Sequence, residues 1–261
     1  MPRKVQKQEV LCLGSKASLL GTSIPVWSFF LDGLLLDTGP FSLRKDFMPF
    51  YQEQHIAQAA LTHYHEDHSG LTAWLQAEKQ TQILMPAQSQ HLACQRIKLP
   101  LYRKLFWGTR HPFQAHVLPG KICTEKYCLQ VIPAPGHTRD HVVFLEQNQG
   151  WLFSGDVFVR AKPELGFWEE DMSAMLQTLT YLAGLDFELL FCSHSGPQPR
   201  GRQLLRQKMD HLLQVQERAR QLKDNGWGIN SIVSSIFPRK RPIEYMTRGE
   251  WSRKNLIQSL L

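Results

Sequence analysis

A chain of 261 residues with 43% hydrophobic content can bury a substantial core as one large domain or two small ones, which excludes a disordered or fibrous protein. The net charge of +7 is unevenly placed: residues 196–261 carry 13 Lys or Arg against 5 Asp or Glu, and the preceding 195 residues carry 17 against 18. A second basic stretch, between Glu78 and Glu125, contains Lys79, Arg96, Lys98, Arg103, Lys104, Arg110 and Lys121 and no acid; it suits an anionic small substrate, nucleic acid or an ordinary solvated surface.

Along the chain, Lys16 and scattered Gly and Ser interrupt the apolar character of the first 30 residues, so the start reads as mature and soluble rather than as an export signal. No stretch approaches the ~20 apolar residues of a membrane span, since the richest run, Val26 to Leu36, contains Asp32 and Gly33. That run predicts a two-stranded hairpin, 26–31 and 34–37, turning at Asp32-Gly33 and ended by Asp37-Thr38-Gly39-Pro40. Ile56 to Thr62 reads as a buried strand and His68 to Ala77 as a helix with Leu71, Trp74 and Leu75 on one face. Further strands are expected at 82–85, 127–133, 142–147, 151–154 and 187–193, with helices at 87–95, 171–183 (capped by Asp171), 202–223, 228–236 and 248–261. Leu99 to Phe113, with Tyr102, Phe106, Trp107 and His111 among basic residues, reads either as a substrate-facing loop or as a packed amphipathic helix. Interleaved strands and helices make this an α/β protein. Five cysteines, Cys12, Cys94, Cys123, Cys128 and Cys192, form an odd set without a CxxC pair, so neither a disulfide framework nor a cysteine zinc site is expected, and a cytoplasmic, reducing location is. Cys192 reads as a small buried hydrophobe.

The chemistry concentrates in Leu61-Thr62-His63-Tyr64-His65-Glu66-Asp67-His68-Ser69-Gly70, where three imidazoles and two carboxylates fall within six residues of a strand end. His63 and His65, two apart, can point the same way from an extended chain, while Asp67 and His68 turn toward a second point. Imidazole nitrogen and carboxylate oxygen suit Zn²⁺, with Fe and Mn also compatible.

This His-x-His-x-Asp-His segment resembles the signature of the metallo-β-lactamase superfamily, to which glyoxalase II and bacterial lactonases belong. Pro135-Gly136-His137-Thr138, Ser154-Gly155-Asp156 and Ser193-His194-Ser195-Gly196 resemble its later motifs, in order, and the likeness spans roughly Val10 to Pro197. It implies an αββα sandwich over 1–197 with a helical C-terminal extension over 198–261. It also implies two divalent metal ions, zinc first: one held by His63, His65 and His137, the other by Asp67, His68 and His194, with Asp156 bridging. Arg139-Asp140-His141 departs from the family's x-Gly-His, and His141 is read as supporting rather than ligating; Glu66 is read as solvated or as supporting a ligand. Phe167 and Trp168 are candidates for a pocket wall.

The resemblance implies a hydrolase using a metal-bound hydroxide, with Asp67 both ligating and orienting it, on an ester, thioester or lactone of a small metabolite. The alternative is a phosphodiesterase or ribonuclease favoured by the basic tail. A third reading is a persulfide dioxygenase-like enzyme with one iron at His63, His137 and Asp156, and a fourth a non-enzymatic scaffold, against which the intact ligand set argues. Arg103, Lys104 and Arg110 are the expected contacts for an anionic substrate. Elemental analysis of carefully loaded protein should return about two divalent ions per chain; none at all would reject the metal reading.

Overall fold

Apolar residues on both faces of the central strands oblige this chain to cover each sheet twice, once with the other sheet and once with helices. The computed structural model describes residues 2–261. The first sheet has seven strands in chain order: β1 (Arg3–Lys7), β2 (Val10–Leu19), β3 (Thr22–Leu31), β4 (Leu34–Leu36), β5 (Gln58–Ala60), β6 (Gln82–Met85) and β7 (His116–Val117). The second begins with β8 (Lys121–Cys123), β9 (Cys128–Pro133), β10 (Val142–Glu146) and β11 (Trp151–Gly155). After a short strand β12 (Gly166–Phe167) come β13 (Leu189–Cys192) and β14 (Gly196–Gln198), which complete the second sheet in the order β14-β13-β11-β10-β9-β8. β12 pairs separately with β15 (Trp251–Ser252).

Alternation assigns the faces. Trp27, Phe29 and Leu31 of β3 point between the sheets, where they meet Phe144, Phe153 and Phe191 from the second sheet; the rings of Phe153 and Phe191 stack at 4.6 Å. The intervening side chains face outward. On the first sheet they pack with α1 (Arg44–Glu53), α3 (Thr72–Lys79) and α4 (Leu101–Trp107), through Phe47, Leu75 and Phe106. On the second, Val143 and Leu145 meet α5 (Met172–Ala183), α6 (Gly201–Asp224), α7 (Ile229–Ile236) and, after the short α8 (Pro242–Met246), α9 (Arg253–Leu260). In α6, Leu205, Lys208, Leu212, Val215, Ala219 and Leu222 form the buried stripe, at the three- and four-residue spacings of an amphipathic helix. No helix among the described residues is long and apolar enough to cross a membrane.

Three departures from the sequence expectations have local causes. The helix expected over 68–77 is split into α2 (Glu66–Ser69) and α3, because the carbonyl of His68 accepts from Thr38 N at 2.7 Å and Leu71 N donates to Gly39 O. The segment 87–95 holds only a 3-10 turn at Gln90–Leu92; the Arg110 guanidinium takes the carbonyls of Leu92 and Gln95, which competes with helical pairing. Finally, Cys123 and Cys128 are joined by a disulfide, contrary to the expectation of unpaired cysteines. They lie opposite one another in the β8–β9 hairpin, a proximity that strand register creates and sequence spacing does not announce. The bond closes one hairpin; Cys12 and Cys192 are buried and free.

The turn Pro135-Gly136-His137 is seated against α5. Thr178 Oγ1 donates to Pro135 O at 2.7 Å, Asp171 N to Gly136 O at 2.8 Å, and Asp171 caps the helix by accepting from Ala174 N. Gly136 has φ +141°, and a Cβ there would lie 2.6 Å from Met175 Cα. Gly136→Ala should therefore lower the unfolding free energy by roughly 1–3 kcal/mol, the scale of a strained backbone position; a denaturant midpoint equal to wild type would show that the turn has another way to sit.

Candidate metal centre

Four chain segments meet where the strands of both sheets end. Leu61-Thr62-His63 leaves β5, fixed by Leu61 N donating to Leu84 O and by Thr62 N and Oγ1 donating to the buried Asp37 carboxylate. Val142 N, entering β10, donates to Thr62 O at 2.9 Å and so ties the two sheets together beside the site. Asp156 follows β11, and His194 follows β13, where Ser193 O accepts from Trp27 N.

The sequence-predicted residues assemble into two groups, each with donor atoms within 4.8 Å of one another: His63, His65 and His137 in one, Asp67, His68, Asp156 and His194 in the other. In the first, His65 Nδ1 lies 3.0 Å from His63 Nε2 and 3.1 Å from His137 Nε2. In the second, Asp67 Oδ2 lies 3.6 Å from His68 Nε2 and 3.4 Å from His194 Nε2, and Asp156 Oδ1 lies 3.4 Å from His68 Nε2. Asp156 Oδ2 is 3.3 Å from both His137 Nε2 and His194 Nε2, so this one carboxylate adjoins both groups. His141 belongs to neither: its Nε2 accepts from the backbone N–H of Asp156 at 3.1 Å.

The donor chemistry fits divalent ions. His68 Nε2 and Asp156 Oδ1 are buried and have no hydrogen-bond partner among the described residues; each such atom costs about 1–3 kcal/mol if left unsatisfied, more when charged. A cation between them would satisfy both, in the nitrogen and oxygen set that suits zinc. The outward nitrogens, by contrast, all have partners. His63 Nδ1 faces Thr62 Oγ1 at 3.0 Å, His65 Nε2 faces Glu169 Oε1 at 2.6 Å, and His68 Nδ1 faces Asp37 Oδ2 at 2.7 Å. His137 Nδ1 faces Glu170 Oε1 at 2.8 Å and His194 Nδ1 faces Pro25 O at 2.7 Å. With the outer nitrogen donating, the inner one presents its lone pair, an arrangement typical of metal-ligating imidazoles.

Burial penalises charge throughout the cluster, but opposite charges outweigh it at five groups; one of them, His137, is raised above the usual imidazole value by Asp156 and Glu170. His194, His68 and His137 hold the Asp156 carboxyl well below the carboxylate range, and His68 and His194 lower Asp67. The carboxylates in turn raise His68 and His194 well above the usual imidazole value. His63 has no such partner; burial and its imidazole neighbours push it well below that value, which keeps it neutral and able to donate a lone pair.

Sequence reasoning did not find Asp37, Glu169 or Glu170. Asp37 reads as part of a turn, and the two glutamates follow Phe167 and Trp168 without any motif. Two of the cations it did single out have internal roles. Arg103 makes a two-pronged pair with the buried Glu66, both contacts 2.6 Å, so Glu66 is not solvated. Arg110 is buried over Phe113 with its guanidinium on backbone carbonyls. The 99–113 segment is thus part packed helix and part wall: Phe106 enters the core, the Trp107 ring comes within 6.4 Å of the His194 ring, and Ile97, Lys98, Leu99 and Arg103 join Tyr64 and Trp168 around a cavity of about 370 Å³.

The family model described as the metallo-beta-lactamase superfamily matches residues 23–194. A hydroxyacylglutathione hydrolase of Shewanella baltica (strain OS155 / ATCC BAA-1091) is 30% identical over 162 residues, 61% of this chain and 55% of that one. One from Xanthomonas campestris pv. campestris (strain B100) is 33% identical over 138 residues, 51% and 45%. This chain therefore spans about half the length of the curated relatives it matches. Among solved structures, a metallo-beta-lactamase family protein from Thermus thermophilus superposes with a TM-score of 0.71 at 18% identity over 97% of this chain and 91% of that one. A beta-lactamase domain protein from Burkholderia ambifaria gives 0.67 at 18% identity over 100% and 84%. With its motifs in family order, its two donor groups with Asp156 adjoining both and its sandwich of two sheets, the chain belongs to the metallo-beta-lactamase superfamily.

Proposed function

We propose that this protein hydrolyses a thioester of a small anionic metabolite at a pair of divalent ions, zinc in the first instance, held by His63, His65 and His137 and by Asp67, His68 and His194, with Asp156 shared. The observation that carries the reading is the pair of buried donor groups with one carboxylate adjoining both, and with His68 Nε2 and Asp156 Oδ1 buried 3.4 Å apart without a hydrogen-bond partner among the described residues. Relatives named hydroxyacylglutathione hydrolase support the thioester. A one-metal dioxygenase resting on His63, His137 and Asp156 would leave Asp67, His68 and His194 without a purpose.

Ions bound there would supply Lewis acidity and water that ionises near neutral pH. The residues supply placement. Asp67, kept ionised by His68 and His194, accepts a hydrogen bond from the attacking water and orients it. Water oxygen bonds to the acyl carbon, the carbon–sulfur bond breaks, and the water proton passes by way of the Asp67 carboxylate to the departing sulfur. No side-chain nucleophile is needed. The apolar wall formed by Ile97, Leu99 and Trp168 receives the non-reacting part of the substrate, and Lys98, exposed on the cavity rim, meets its anionic group in place of Arg103 and Arg110, which are engaged internally. Trp168 is 62% exposed, open to stacking from solvent.

A phosphodiesterase reading rests on the basic tail, but Arg241 pairs with Glu164 and Arg253 with Glu244, so part of that charge is answered within the fold. In the loaded enzyme, Asp67→Asn should lower turnover by ~10–100-fold or more while leaving the thermal midpoint in place; full turnover at full metal occupancy would remove Asp67 from the chemistry. Lys98→Gln should raise KM for an anionic thioester with kcat nearly unchanged, the signature of lost uniform binding. The triple replacement of Arg239, Lys240 and Arg241 by Gln, assayed on the thioester and on single-stranded RNA at two salt concentrations, should do little. If it alone abolishes activity, on RNA only and with steep salt dependence, the nuclease reading replaces the thioesterase one.

A further inference from the structure

Glu169 and Glu170 occupy a tight turn, closed by Glu170 N donating to Phe167 O at 3.0 Å, and each is fixed through both carboxylate oxygens. Glu169 Oε1 takes His65 Nε2 and Oε2 takes the Tyr64 hydroxyl at 2.7 Å. Glu170 Oε1 takes His137 Nδ1 and Oε2 takes Phe167 N at 2.9 Å. The turn is itself anchored, since Ser259 Oγ of α9 donates to Glu170 O and accepts from Met172 N, both at 2.8 Å, and β12 leads into it paired with β15. We infer that Glu169 and Glu170 are positioning residues that impose opposite tautomers on His65 and His137 and thereby set the metal affinity of the three-histidine group independently of the other group.

Two features separate these contacts from ordinary buried hydrogen bonds. His65 turns Nδ1 toward the group whereas His137 turns Nε2, so the two rings need their protons on opposite nitrogens, and only an acceptor at each outer nitrogen enforces that. The groups also differ in charge. Asp67 and Asp156 lie in the second, while the first consists of three imidazoles, and among the described residues the only acids at their outer nitrogens are these glutamates; His63 leans on a hydroxyl instead. A carboxylate behind an imidazole raises its basicity as a ligand, and losing such a partner typically costs ~10–100-fold in metal affinity or activity. Asp37 plays the corresponding part behind His68.

The inference rests on the metal reading above but not on any substrate, so it is tested by zinc binding and by the rings themselves. At Glu170 the test is sharp: glutamine has one acceptor oxygen for two donors, and the fixed Phe167 N–H claims it, which leaves an amide N–H facing His137 Nδ1. In metal-free protein at alkaline pH, nitrogen-15 NMR of the histidine rings should find His137 protonated at Nδ1 in wild type and at Nε2 in Glu170→Gln. Chelator competition with Zn²⁺ should show Glu169→Gln and Glu170→Gln weakening one binding step by ~10–100-fold and sparing the other, and Asp37→Asn weakening the step they spare. If metal-free Glu170→Gln does not hold its fold, Glu169→Gln carries the same split, because the Tyr64 hydroxyl can turn to suit an amide. Equal weakening of both steps, unchanged zinc affinity with a lowered thermal midpoint, or an unaltered His137 tautomer each overturns the inference. Wild-type protein that binds no zinc overturns the metal reading with it, whereas two zinc ions bound without thioester turnover overturns the substrate reading alone.

Discussion

The arrangement of this molecule depends on one local constraint: an imidazole nitrogen and a carboxylate oxygen, His68 Nε2 and Asp156 Oδ1, are buried 3.4 Å apart without a hydrogen-bond partner among the described residues. Atoms of this kind are costly to strip of water. They remain in place because their other atoms are committed. Asp37 grips His68 from behind and also takes both Thr62 donors, while the backbone of Asp156 is held by His141. Asp37 in turn lies at the end of β4, so the orientation of the site is transmitted from the hydrogen bonding of the first sheet.

The rest of the fold brings distant chain segments to that point. Residues 63–68, 137, 156 and 194 arrive on four separate loops, and the aromatic contacts among Phe29, Phe153 and Phe191 fix the separation of the sheets that carry them. The C-terminal helices take part in this. Lys208 of α6 is buried, with its ammonium donating to Val157 O at 2.5 Å just beyond Asp156, and Ser259 of α9 braces the turn bearing Glu169 and Glu170. Burial disfavours the charged form of this amine, and its hydrogen bond pins the loop whose carboxylate adjoins both donor groups.

Much of this was legible in the sequence, and the parts that were not share a physical cause. The α/β class follows from interleaved strands and helices and the αββα layering from the family resemblance, and the helix at 172–183 begins at its anticipated cap because Asp171 and its periodicity agree. The inner faces of the site were legible because His63, His65, Asp67 and His68 sit within one turn of chain, where spacing carries geometry. The outer faces were not. His68 meets Asp37 across 31 residues, His65 meets Glu169 across 104 and His137 meets Glu170 across 33, and no local pattern marks a lone acid as the partner of a remote ring. The Cys123–Cys128 bond escaped notice for a similar reason, being a product of hairpin register.

Charge illustrates the same limit in the opposite direction. A run of cations without acids looks like a surface for anions, yet Arg103 answers Glu66 from another loop and Arg110 answers backbone carbonyls. Glu66 stands between His65 and Asp67; unpaired, its buried charge would compete with Asp67 and Asp156 for any cation nearby. By neutralising it, Arg103 confines negative charge to the carboxylates that face the two donor groups or back their histidines. The basic middle segment thus serves the site by removing one charge from its surroundings, and it leaves Lys98 exposed on the cavity rim.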